Sequence, residues 1–295
     1  MRDRPHFLGS RLTIGNDALD SRPIGLFDSG IGGLTVFKSL LAALPNESFI
    51  YLGDTARLPY GSKSPQTIER YLVQNIDFLI RRNVKAIVVA CNSASTVLLG
   101  GNRLHAFDFG LPVYNVIEPG AATAMRASGA SHGGKRIGVL GTRATVGAQS
   151  YVRAIHAIDP DATVFQQACP LLVPLVEEGW ENDPITNLIV YRYVAPLIDA
   201  GIDTLILGCT HYPALRSNIE RATQGRIKLV DSAEAIAELI HADLARGRLN
   251  SGNGRQSIEV LTTDVSQSFN EVSKRLMLPH LIPDLVEVDI SPLAP

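Results

Sequence analysis

The chain is 295 residues long and 45% hydrophobic, with 27 Lys and Arg against 29 Asp and Glu and a formal charge of −2. That is enough apolar material for one large or two ordinary domains. The balanced charge, with no basic block interleaved with aromatics, argues against nucleic acid as the primary partner, and no apolar run is long enough to span a bilayer.

The first twenty residues mix charges throughout and lack the apolar stretch of a secretion signal, so they read as a mobile extension. Beyond them, short runs rich in Ile, Val and Leu alternate with segments of helical period. In chain order, strands are expected at 24–27, 49–52, 86–90, 113–117, 137–140, 204–207, 227–230 and 258–261. Near-continuous apolar strands separated by helices are the pattern of parallel sheets covered on both faces, which makes the fold class α/β. A helix over 66–82 illustrates the covering layer, because Ile68, Leu72, Ile76 and Leu79 fall on one stripe. Polar, glycine-containing stretches at 131–135 and 247–256 read as surface loops.

In open α/β sheets ligands bind beyond the carboxyl ends of the strands. Asp28 closes the first strand and opens the turn DSGIGG, so its carboxylate and the Ser29 hydroxyl face such a crevice; the same spacing also suits an N-cap aspartate followed by turn glycines. Gly30 and Gly32 do not complete a dinucleotide fingerprint, because Thr35 stands where the third glycine is needed, and no nicotinamide cofactor is implied. The loop LPYGSKSP at 58–65 offers Tyr60 and the Gly61 backbone as ligand contacts, although turn chemistry alone accounts for its composition. The stretch 129–136 begins like a phosphate loop but has Arg136 where Ser or Thr must reach magnesium, and it precedes its strand, so it reads as a surface turn.

Three cysteines are too few and too scattered for a disulfide framework, which suits a reducing, cytoplasmic setting. Cys91 and Cys209 each follow an apolar strand directly, where a new helix can start and its backbone N–H groups favour a thiolate. A free cysteine is equally at home as a small buried hydrophobe, but two in matched contexts, IVVACNSAST and LILGCTHYPAL, point to chemistry. Thr210 adds a hydroxyl beside Cys209, and His211 is near enough to support a thiolate or relay a proton. With no Cys-x-x-Cys and no clustered histidines, a metal centre is not implied. Cys169, ahead of Pro170 and an apolar helix, is assigned to core packing, and Glu177 and Glu178 sit on a helix where solvated carboxylates are ordinary.

Together IGLFDSGIGGLTV, DTARLPYGSKSP, VVACNSAST, VIEPG, VPLVEEG and LGCTHYPAL, in this order, closely resemble the bacterial glutamate racemases over residues 23–230. The resemblance implies two α/β domains with mainly parallel sheets and the active site in the cleft between them, no cofactor, glutamate as substrate, D-glutamate for peptidoglycan as the product's use, and a homodimer. On this chain it implies a first domain of 22–116 plus 231–295 carrying Asp28 and Cys91, a second of 117–230 carrying Cys209 and His211, and an extension at 1–21. Cys91 and Cys209 are the implied catalytic thiols, assisted by Asp28, His211 and either Glu177 or Glu178, of which Glu177 is the assignment made. Implied substrate contacts are Asp28, Ser29, Tyr60, Gly61, Asn92, Ser93, Thr210 and His211. Ser93 departs from the family, which usually has threonine there; the hydroxyl is kept and a methyl lost. An aspartate or hydantoin racemase of the same superfamily, and a non-catalytic relative that binds gyrase, are the alternatives.

Overall fold

A computed structural model describes residues 19–100, 109–129, 134–252, 254–265, 267–277 and 284–291. Most of the amino-terminal extension and residues 131–133 and 253 of the two expected loops lie outside them.

The strands are β1 (Ile24–Asp28), β2 (Phe49–Gly53), β3 (Ala86–Val89), β4 (Val113–Asn115), β5 (Arg136–Gly141), β6 (Thr163–Ala168), β7 (Thr204–Gly208), β8 (Lys228–Asp231), β9 (Ile258–Thr262) and β10 (Leu285–Glu287). The helices are α1 (Leu34–Ala43), α2 (Pro65–Arg81), α3 (Asn92–Gly100), α4 (Ile117–Ala127), α5 (Arg143–Gly147), α6 (Ser150–Ile158), α7 (Leu172–Glu177), α8 (Pro184–Asp199), α9 (Arg216–Thr223), α10 (Ser232–Ala245) and α11 (Gln267–Met277). The strands form two parallel sheets, one in the order β10-β9-β2-β1-β3-β4 and the other in the order β6-β5-β7-β8.

Alternation along each strand explains why both sheets are buried on both faces. In β1, Ile24 and Leu26 enter one apolar cluster with α1 and α10, while Phe27 enters the other, under α2. In β7, Leu205 and Leu207 pack under α8 and α9, while Ile206 meets Ile117 and Tyr151 of α4 and α6 on the opposite face. The stripe on α2 is buried as expected, and Ser64 caps that helix by accepting the Thr67 N–H.

All eight expected strands form, with one correction. The fourth ends at Asn115 rather than 117, because the Asn115 Oδ1 accepts the N–H groups of Ile117 and Glu118, each at 3.0 Å, and starts α4 there. Two edge strands were not expected: β6 carries Gln166 and Gln167 and is only half-buried, and β10 has three residues. Neither presents the continuous apolar run by which a buried strand is recognised.

The strand orders position the site. In the first sheet β1 has β2 on one side and β3 on the other, and in the second β5 has β6 and β7 on its two sides. Connections leave in opposite directions at these points, which opens a crevice at the carboxyl ends of β1 and β3 and another at those of β5 and β7.

Candidate active site

Four chain segments leave those two crevices: Asp28–Ser29 from β1, Cys91–Asn92 from β3, Thr142 from β5 and Cys209–Thr210–His211 from β7. They converge on one cavity of ≈ 130 Å³, lined by Ser29, Cys91, Asn92, Ser93, Cys209, Thr210 and His211 among others. A water molecule takes about 30 Å³ of liquid, so the space suits one small molecule rather than a drug-sized ligand. Both thiols line it, Cys91 from the first sheet and Cys209 from the second, each about one-twentieth exposed.

The wall around Cys91 is short of charge. The Ser29 hydroxyl and the Ala94 N–H bond the sulfur, but burial, with buried Asp28 nearby, pushes the thiol up to about 12. Asn92 is held by Tyr151, whose hydroxyl donates to Asn92 Oδ1 at 2.7 Å. The amide Nδ2 of Asn92 is then buried without a hydrogen-bond partner among the described residues. Ser93 joins a hydroxyl cluster with Thr142 at 2.9 Å and Thr145 at 3.4 Å.

The wall around Cys209 carries a relay. The sulfur lies 3.9 Å from His211 Nδ1, and His211 Nε2 lies 3.2 Å from Glu177 Oε1. Burial opposes a charge on this imidazole, yet the Cys209 sulfur and the Glu177 carboxylate outweigh it and hold the group up at about 10. Of the adjacent pair, Glu177 reaches His211, and Glu178 is exposed at the end of α7.

Asp28 stands behind the cavity rather than at its surface. Its Oδ2 accepts the N–H groups of Gly30 at 3.1 Å and Gly33 at 3.0 Å, and the Thr210 hydroxyl lies 3.5 Å from Oδ1. Complete burial raises the carboxyl against the pull of His211 and these N–H groups. The turn that follows must be glycine: a Cβ at Gly32 would overlap the Thr210 hydroxyl and the His211 ring, and one at Gly33 would overlap Asp28.

Tyr60 is buried, with its hydroxyl bonded to Asp54 and accepting Asn75 Nδ2 at 3.1 Å. The loop it anchors meets the cavity through Pro59, Gly61 and Ser62. Cys169 is fully buried in the apolar cluster of α7 and α8 and also lines the cavity, with Pro170 and Val173. Sequence reasoning missed Thr142 and Arg143, which also line the cavity. Thr142 carries the signal that marked the cysteines, a small polar residue directly after a buried parallel strand. Among the described residues no three of His, Cys, Asp and Glu gather as a metal-ligand set, and no helix is long and apolar enough to cross a membrane.

Comparison with known proteins gives consistent matches. The Asp/Glu/Hydantoin racemase family matches residues 24–240. A glutamate racemase of Neisseria meningitidis serogroup A is 45% identical over 257 residues, 87% of this chain and 93% of its own length. Among solved structures, a glutamate racemase isoform of Bacillus anthracis is 35% identical with a TM-score of 0.83, covering 91% of this chain and 97% of its own. The glutamate racemase of Francisella tularensis, solved in complex with D-glutamate, is 34% identical with a TM-score of 0.81, covering 92% and 99%.

Proposed function

The chain belongs to the Asp/Glu/Hydantoin racemase family, and on that premise we propose that it interconverts L- and D-glutamate by proton transfer through two thiols, Cys91 and Cys209. The observation that carries the mechanism is that these two residues, 118 positions apart along the chain (209 − 91), line one small cavity from two different sheets. Glutamate as the bound amino acid rests on the kinship with glutamate racemases, one of them solved with D-glutamate.

Racemisation removes a proton from one face of the α-carbon and delivers another to the opposite face, so one thiol must start ionised and the other protonated. The electrostatics supply that asymmetry. His211, its imidazole held up at about 10 and bonded to Glu177, stands 3.9 Å from the Cys209 sulfur as a cationic partner, whereas Cys91, with its thiol at about 12, starts protonated. With L-glutamate, the Cys209 thiolate takes the α-proton as the C–H bond breaks and an S–H bond forms. The Cys91 thiol then gives its proton to the other face and becomes the thiolate. With D-glutamate the same steps run backwards from a Cys91 thiolate. The unpartnered Asn92 Nδ2 and the backbone N–H groups at Ser93 and Thr210 are the donors for the substrate carboxylate as negative charge develops on it.

Each sheet is proposed to define one domain, 22–116 with 231–295 and 117–230, with the cavity in the cleft between them. The free thiols of all three cysteines suit a cytoplasmic setting, where D-glutamate would serve peptidoglycan synthesis.

The test is the circular dichroism of pure L-glutamate incubated with the protein and no added cofactor: the signal is expected to decay to zero. Cys91→Ala and Cys209→Ala should each lower the rate by roughly 10³-fold while leaving the fold intact. Because the two enantiomers are equal in energy, kcat/KM must fall equally in both directions, and the face assignment needs a separate measurement. Cys209→Ser should still exchange the α-hydrogen of D-glutamate for deuterium faster than that of L-glutamate. Equal exchange of both would reject the assignment, and racemisation surviving in either alanine variant would reject the two-thiol scheme.

A further inference from the structure

A second, larger hollow of ≈ 750 Å³ lies next to the reaction cavity, and the two share Gly61, Ser62 and Arg143. The larger hollow is lined by three cations, Lys63, Arg143 and Arg153, and by one carboxylate, Glu69. Arg153 is anchored, its guanidinium donating to Ala148 O at 2.7 Å and Ser150 Oγ at 2.9 Å. Arg143 differs. It is the exposed first residue of α5, and among the described residues its guanidinium has neither an ion pair nor a hydrogen bond, nor does the ammonium of Lys63. In the reaction cavity itself the one lining carboxylate, Glu177, is engaged with His211.

A guanidinium with no ion pair or hydrogen bond among the described residues adds little to the fold through pairing, but beside two hollows with low-dielectric walls its field is focused into them. The proposed substrate carries two carboxylates and one ammonium, a net charge of −1. We propose that Arg143, backed by Lys63, forms a cationic approach path that draws the dicarboxylate from the larger hollow into the reaction cavity, making Arg143 a specificity-determining residue outside the proton transfer. This rests on the racemase reading above. Arg143 would act on capture of the anion and leave the two thiols unchanged, so its contribution belongs in kcat/KM and KM and is weakened by salt.

The experiment measures glutamate racemisation by the full chain and by Arg143→Gln, Arg143→Lys and Lys63→Gln, from low ionic strength to about 0.3 M, where the Debye length falls to several ångströms. For the unaltered chain kcat/KM should decline as salt rises. Arg143→Gln should be about tenfold lower at low salt, with a flatter salt dependence and kcat within about twofold. Arg143→Lys should recover most of the loss, because charge rather than fork geometry is at work, and Lys63→Gln should show a smaller loss of the same kind. Unchanged kcat/KM and salt slope in Arg143→Gln would overturn the proposal, as would a loss confined to kcat at constant KM. Turnover by the unaltered chain with a salt-independent kcat/KM would remove this proposal and leave the racemase reading standing, whereas no turnover of glutamate at all would remove both.

Discussion

At the scale of single residues, the feature with the widest consequence is the imidazole of His211. Held between Cys209 and Glu177 at about 10 against an ordinary 6.5, it binds its proton more tightly in the folded chain than in the unfolded one. The stabilisation that follows is complete below pH 6.5 and lost as pH rises through about 10. Urea unfolding of the native chain should therefore show stability declining over that window, and His211→Asn should lack the decline. The same variant is expected to lose roughly 10²-fold in racemisation rate, because the cationic partner 3.9 Å from the Cys209 sulfur is gone. A variant that kept both the pH window and the rate would show that the relay to Glu177 is incidental.

At the scale of elements, the crevices follow from where strands end and what the next residue is. Asn115 stops β4 and starts α4 with one carboxamide, and Thr142 caps α5 while facing the cavity. The turn from β1 to α1 is the most constrained of these joints, since Asp28 gathers its N–H groups and Gly32 lets Thr210 and His211 of the other sheet close against it. Gly32→Ala should cost about 1–3 kcal/mol of stability, the usual range for overpacking a tight site, read by chemical denaturation. The larger effect should fall on activity, because the added methyl displaces Thr210 and His211, the two residues that follow Cys209. A fully active Gly32→Ala would mean that the two sheets can separate without harm to the site.

At the scale of the whole molecule, exposed apolar side chains on and around α7 and α8 bear on the expected homodimer. Leu171, Trp180, Ile185, Leu188 and Tyr191, on and around α7 and α8, are all at least 45% exposed, and Leu188 reaches 70%. Large apolar groups exposed on neighbouring elements mark an interaction surface more often than chance exposure does. A second copy of the chain is the proposed occupant. Leu188→Glu should lower the mass seen in sedimentation velocity with a stability change within about 0.5 kcal/mol, as for other exposed positions; a mass unchanged by the substitution would overturn this assignment.

The amino-acid sequence by itself determined eight of the ten described strands and which residues follow the buried ones, because hydrophobic period and strand-end position are local properties. The half-buried edge strands β6 and β10 carry no such pattern. Asp28, Cys91 and Cys209 were legible in that way, and the motif order pointed to the family. Tertiary structure decided what local pattern does not contain. It brought the carboxylate of Glu177, and not that of Glu178, to His211 across 34 residues, turned the Tyr60 hydroxyl to Asp54, and brought Thr142 and Arg143 to the same cavity. The Glu177–His211 contact forms within the second sheet's half and the Tyr60–Asp54 contact within the first. The meeting of Thr142 and Arg143 with Cys91 depends instead on how the two sheets face each other, an arrangement that follows from the packing of apolar surfaces far apart in the chain, which no short window of residues encodes.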